Sequence, residues 1–160
     1  MSDRFPAEIH IGGPIPQELL GDLIKVAVAE GVRLGDYDGD PADKDLLSGA
    51  FHDGTIVGLY DAEACFGQFA DLEAFLVEHG IHFNGHNDAH HECDAENVFY
   101  RGGPEPVRMP ATQGGESLVA CRDILAVLDD PSVGDGEKLM AIRRIVAPPQ
   151  AAPLEPIRLV

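Results

Sequence analysis

The chain has 160 residues, of which 44% are hydrophobic, and its formal net charge is −17. This length and apolar content suit one folded domain and exclude wholesale disorder, while the longest apolar runs fall short of the roughly 18 residues of a membrane span. So negative a charge disfavours direct nucleic-acid binding, because phosphates are held by Lys and Arg, and it favours a cationic partner.

Cysteine usage and the first residues bear on location. Cys65, Cys93 and Cys121 are odd in number and widely spaced, which predicts reduced thiols and no disulfide framework. The first residues lack the basic and then apolar pattern of a secretory signal. We therefore expect a cytoplasmic protein that does not contact a membrane.

The first 60 residues alternate between strand and helix patterns. Residues 8–11 alternate polar with apolar and predict a strand, and the spacing of Leu20, Leu23 and Ile24 predicts a helix over 16–30. A second strand is expected from Val32, a short helix over 43–51, and a β-branched strand over 55–60.

The central stretch, residues 68–101, predicts a helix packed on a hairpin. Phe69, Leu72 and Leu76 recur at helical spacing over 68–79, and Gly80 is placed to end that helix. From Ile81 the period changes to two, which predicts strands over 81–84 and 97–101.

The remaining residues predict helices over 116–128 and 137–146, a Pro-rich extended connector and a final edge strand from Ile157. The fold prediction is a single α+β domain, 1–160, with a small antiparallel or mixed sheet packed against helices. Its parts are a sheet-forming acidic part (1–111), a helical part (112–147) and a connector with terminal strand (148–160).

Acidic residues are concentrated in the first part of the chain. Residues 1–100 contain 20 acidic and 4 basic side chains, whereas residues 101–160 contain 8 and 7. If the segment 36–40 is extended, its alternate carboxylates are about 6–7 Å apart and form a row of regularly spaced negative charge. The candidate partner-binding residues are Asp36, Asp38, Asp40, Asp43, Asp61 and Glu63.

A second polar cluster, HFNGHNDAHHECDAE, offers metal-binding side chains. The candidate ligands are His86, Asp88, His90 and Cys93. His82 and His86 on one strand are about 13 Å apart, too far to share an ion. His86 and His90 converge only if the chain turns between them. Neither CxxC nor HExxH is present, so the sequence favours a polar hairpin and leaves metal binding as an alternative.

Four segments resemble a family of acidic bacterial and mobile-element proteins. They are EIHIGGPIPQELL, DLEAFLVEHGIHF, DAENVFYRGG and PLEPIRLV. The chain is similar to this family over most of its length. The resemblance implies a shared architecture and a mobile-element setting, and it carries over no catalytic residues.

These observations predict a non-enzymatic acidic protein without a cofactor that binds a basic macromolecular partner. The specific hypothesis is a nucleic-acid mimic from a phage or similar element, which occupies the basic groove of a host nucleic-acid-binding protein such as a defence complex. One alternative is a metal-binding protein or metal-dependent enzyme built on residues 82–94. Another is a scaffold or interaction protein without electrostatic specialisation.

Overall fold

The structure, a computed structural model, describes residues 3–90 and 94–160. This part of the chain contains eight strands and five α-helices. The strands are β1 (Arg4–Gly12), β2 (Pro14–Ile15), β3 (Arg33–Leu34), β4 (Val57–Cys65), β5 (His82–Asn87), β6 (Glu96–Tyr100), β7 (Val107–Pro110) and β8 (Arg158–Leu159). The α-helices are α1 (Leu20–Ala29), α2 (Lys44–His52), α3 (Ala70–Glu78), α4 (Cys121–Leu128) and α5 (Asp135–Val146).

Six strands form one antiparallel sheet in the order β3-β4-β1-β5-β6-β7. The last strand of the chain, β8, pairs in parallel with β2 in a separate two-stranded sheet. The predicted α+β fold is confirmed, and the main sheet is antiparallel.

One face of the main sheet carries the core. Strand β1 buries Ile9 and Ile11 completely, and the alternate residues Glu8 and His10 lie on the opposite face, half-exposed. Helices α1, α2 and α3 cover the core face and contribute fully buried leucines, as the central stretch predicted for Leu72. The opposite face, which these helices leave uncovered, is called the open face below.

Helix α3 begins with a cap from a distant residue. The Glu30 carboxylate, just beyond α1, accepts hydrogen bonds from the backbone N–H groups of Asp71 and Leu72, both at 3.0 Å. These N–H groups have no partner within the helix, so the contact satisfies them and joins α1 to α3. At the other end, Gly80 takes φ +67°, as expected for the residue that ends the helix.

Two boundaries differ from the sequence prediction by five residues, and tertiary pairing explains both. Strand β4 continues five residues beyond the predicted end at Tyr60, because it pairs with β1 as far as Cys65 opposite Arg4. Helix α4 begins at Cys121, five residues after the predicted start, because residues 111–117 form a turn closed by a bridge between Ala111 and Ser117.

Arg101 attaches the C-terminal connector to the sheet. Its guanidinium donates to the Asn84 side-chain oxygen at 2.6 Å and to the Ala152 carbonyl at 2.7 Å. Burial lowers the pKa of Arg101 from its ordinary value. Beyond this contact Ile157 enters the core, so the last residues belong to the folded body.

Helices α4 and α5 pack on each other, and neither buries any residue. Residues 118–146, which contain both helices, are called the helical arm below.

No helix within the described residues is long and apolar enough to cross a membrane.

Candidate functional site

The open face of the sheet holds a polar groove. Because side chains alternate along a strand, the residues between the core positions point to this face. Register brings them side by side: Glu8 of β1 lies opposite Tyr60 of β4 and His86 of β5, and His86 lies opposite Asn97 of β6. The groove therefore gathers four polar side chains from four neighbouring strands.

Two adjoining cavities, of about 330 and 240 Å³, make up this groove. They share Glu8, His86 and Gly115. The larger cavity extends towards Tyr60 and Asp88, and the smaller one extends along the sheet towards His10, Asn84 and Phe99. Together, these two cavities are called the open-face groove.

Asn97 connects the sheet to the loop that forms one wall of the groove. Its side-chain nitrogen donates to the Gly115 carbonyl at 2.8 Å and to the Ser117 hydroxyl at 2.9 Å. The amide oxygen of Asn97 therefore faces His86 Nδ1, at 2.8 Å, and must accept its hydrogen. This assigns the proton of a neutral His86 ring to Nδ1.

The same assignment leaves His86 Nε2 as a hydrogen-bond acceptor. Nε2 is enclosed, has no hydrogen-bond partner among the described residues, and lies 3.6 Å from an Asp88 carboxylate oxygen. In the neutral ring, the Nε2 acceptor of His86 thus faces the Asp88 carboxylate, which is also an acceptor. A buried acceptor without a donor is unfavourable. The groove is rich in acceptors and short of donors at this point.

Tyr60 lies among acidic groups and beside a second tyrosine. Burial, followed by the negative charges of Asp88, Asp61 and Glu8 and the presence of Tyr37, raises the pKa of Tyr60 above its ordinary value. The Tyr37 ring meets the Tyr60 ring edge to face, with centroids 6.1 Å apart. This end of the groove combines negative potential with aromatic surface.

The predicted row of regularly spaced carboxylates in residues 36–40 is wrong, because this segment is a turn. The Gly39 N–H donates to the Asp36 carbonyl at 2.9 Å, and the Asp38 N–H donates to an Asp36 carboxylate oxygen at 3.1 Å. Glycine at position 39 and aspartate at 36 favour this turn locally. Asp36, Asp38 and Asp40 remain exposed, but they surround a loop tip and do not form a line.

The other three candidate partner-binding residues have different surroundings. Asp43 caps α2 by accepting from the Leu46 N–H at 2.8 Å. Asp61 is half-buried and accepts from the Glu63 N–H at 2.9 Å, while Glu63 is exposed. Of the six candidates, Asp61 is the one whose charge acts on the groove tyrosine.

Of the candidate metal ligands that the structure describes, His86 and Asp88 lie close together and His90 has different surroundings. His86 and Asp88 line the groove, whereas the His90 ring stacks on Phe5 with centroids 5.5 Å apart. Cys93 lies outside the described residues. Among residues 3–90 and 94–160, no three His, Cys, Asp or Glu side chains are grouped to hold a metal ion.

Glu8, Tyr60 and Asn97 are groove residues that the sequence interpretation did not select. The signal for Glu8 is its position between the buried Ala7 and Ile9, which places it on the uncovered face. Strand order then decides which other side chains are its neighbours.

Comparison with protein-family models, with curated proteins and with solved structures finds no match to this chain.

Proposed function

We propose that this chain is a non-enzymatic acidic binding protein whose open-face groove receives an arginine side chain of a basic macromolecular partner. The observation that carries the proposal is the arrangement of the Glu8 and Asp88 carboxylates beside the Tyr60 ring in a cavity of about 330 Å³. Among the described residues, no Lys, Arg or His forms a salt bridge with Glu8.

A guanidinium group matches the chemistry of the groove. It offers five N–H donors in a plane, binds carboxylates through paired hydrogen bonds and stacks on aromatic rings. The groove supplies the complementary set: carboxylate oxygens of Glu8 and Asp88, and the aromatic surface of Tyr60, which Tyr37 contacts edge to face. Lysine carries the same charge but lacks the planar donor array, so arginine is the better fit.

The charge distribution supports a macromolecular partner. With 20 acidic and 4 basic side chains in residues 1–100, long-range attraction accelerates encounter with a basic surface and weakens with added salt. We place this interaction in the cytoplasm, where the exposed free thiols of Cys65 and Cys121 stay reduced.

A labelled hexa-arginine peptide tests the proposal, with its citrulline counterpart as an uncharged control of the same shape. Fluorescence anisotropy measures binding at several salt concentrations. The Glu8→Gln, Asp88→Asn double variant should bind the arginine peptide about tenfold more weakly, since it loses both carboxylates of the groove. The citrulline peptide should bind neither protein.

The matched control variant is Glu105→Gln, Asp129→Asn, which makes the same change in net charge at two exposed positions outside the groove. Its affinity should stay within about twofold of the wild type, because separated surface charges contribute weakly. Equal losses in the two double variants would mean that the peptide binds to the general negative charge, and the groove proposal would fail.

The narrower form of the proposal is the nucleic-acid mimic of a phage or other mobile element. Its support is the concentration of acidic side chains in residues 1–100; the regular spacing expected of Asp36, Asp38 and Asp40 no longer contributes. If a host nucleic-acid-binding protein is the partner, duplex DNA should displace this chain from it in a competition assay, and raising the salt should weaken both complexes.

A further inference from the structure

The helical arm exposes most of the large apolar side chains that the described chain leaves in solvent. Six of eleven such residues lie in it: Leu118, Leu125, Leu128, Leu139, Met140 and Val146. Leu139, at 69% exposure, is the most exposed of the eleven. Helices α4 and α5 have 8 and 12 residues and contain no fully buried residue. Their packing on each other therefore provides little of the burial that short helices need to be stable in water.

The arm also differs from the rest of the chain in charge. Residues 118–146 contain five acidic and four basic side chains, a net charge of −1, so the other residues carry −16 of the total −17. Most of the negative charge therefore lies outside the arm. Two copies of the chain can approach each other through the arm with little electrostatic repulsion.

Helix α5 has charges of opposite sign at its two ends. Asp135 and Glu137 lie in its first turn, and Arg143 and Arg144 lie in its last turn. All four side chains are exposed. When two such helices lie antiparallel across a two-fold axis, the acidic turn of each faces the basic turn of the other, so the surface complements itself.

From these observations we propose that a second copy of the chain covers the helical arm and forms a symmetric dimer. The two α5 helices lie antiparallel, with Leu139 and Met140 near the two-fold axis because they are in the middle of the helix. Leu125 and Leu128 of α4 add apolar surface to the interface. The proposal is independent of the groove, which lies on the open face of the sheet.

Sedimentation velocity of the full chain tests the apolar part of this interface. The wild type should be a dimer at about 100 µM and dissociate on dilution. Leu139→Glu should raise the dissociation constant at least about tenfold, because it places two carboxylates near the axis. The control is Val28→Glu, a charge introduced at an exposed apolar residue of α1, and it should leave the dimer nearly unchanged.

Charge reversal tests the orientation of the two helices. One variant carries Arg143→Glu and Arg144→Glu, and another carries Asp135→Lys and Glu137→Lys. Each alone should be monomeric, since like charges then face each other. An equimolar mixture should form a heterodimer, because both end-to-end contacts regain opposite charges. Far-UV circular dichroism checks that each variant is folded, and the Leu139→Glu comparison decides the question if one is not.

Two results would overturn the proposal. One is a wild type that stays monomeric at every concentration, which would mean that a second copy does not cover the arm. The other is a dimer that Leu139→Glu does not weaken, which would place the interface elsewhere. Variants of Glu8 and Asp88 should keep the dimer, so failure of the groove proposal and failure of this one are distinguishable.

Discussion

The folded body, residues 3–90, 94–111 and 147–160, and the helical arm, residues 118–146, use apolar side chains in opposite ways. The body encloses Ile9, Leu72 and Phe83 completely between a sheet and three helices, whereas α4 and α5 bury none of their residues. The body also carries most of the negative charge, and the arm is nearly neutral.

This difference indicates two sources of stability. Buried apolar surface stabilises the body from within, at roughly 25 cal/mol per Å². The arm, which lacks such burial, depends on whatever covers it. The two proposals therefore place electrostatic binding and apolar association in separate parts of one chain.

The largest expected effect comes from a leucine-to-alanine comparison between the two regions. Leu72→Ala in the body should lower the free energy of unfolding by about 2–5 kcal/mol, since it leaves a cavity in the core. Leu128→Ala in the arm, where the side chain is 47% exposed, should cost less than about 1 kcal/mol. Urea unfolding at low micromolar concentration, where the dimer is dissociated, measures both. Similar losses would contradict the division into two regions.

The next effect concerns the contact between the sheet and the groove wall. Asn97→Ala removes the hydrogen bonds to Gly115 and Ser117 and leaves His86 Nδ1 without its acceptor. We expect a loss of about 1–3 kcal/mol in unfolding free energy, together with weaker binding of the arginine peptide. Ser117→Ala removes one partner only and should have a smaller effect on both. Unchanged peptide binding by a folded Asn97→Ala protein would show that the wall is not needed.

A smaller effect is expected from the aspartates in residues 36–43. Substitutions there distinguish the structural role of these side chains from the role of their charge. Asp43→Ala should cost about 1 kcal/mol because it removes the cap of α2, while Asp43→Asn should be nearly neutral, since Asn caps equally well. Replacing Asp36, Asp38, Asp40 and Asp43 together with Asn should therefore preserve folding, as thermal denaturation can verify. A large loss of stability in that quadruple variant would mean that these charges matter to the fold.

The smallest effect is a pH dependence within the body. Burial, and then the nearby charge of Arg101, lowers the pKa of His82 from its ordinary value of 6.5, while Glu155 acts in the opposite direction. The unfolded chain therefore binds a proton more readily than the folded one below about pH 6.5. The stability that neutral His82 contributes is present above that pH and is lost as the pH falls.

His82→Gln should accordingly reduce the drop in melting temperature between about pH 7.5 and pH 5.5. The exposed His52→Gln is the control substitution. An unchanged drop in His82→Gln would show that His82 does not take part in the acid sensitivity.

Local patterns in the sequence were sufficient to predict most of the helices and strands. Period-two alternation predicted the core strand of β1, and helical spacing with Gly80 predicted α3, because these patterns follow directly from backbone geometry. The α+β class follows from their succession. Residues 36–40 were predicted to be extended, but they form a turn. Asp and Gly favour turns, and the sequence prediction did not take this preference into account.

Only the tertiary structure determined which residues line the open-face groove and whether the apolar side chains of the helical arm are buried or exposed. Glu8, Tyr60 and His86 are far apart in the chain and become neighbours because β4 and β5 both pair with β1. Sequence periodicity tells which face a side chain takes, but it does not give strand order, which depends on how distant segments bury apolar surface together. The sequence likewise predicted a helix over 116–128, but only the assembled fold shows that Leu125 and Leu128 of α4 remain exposed.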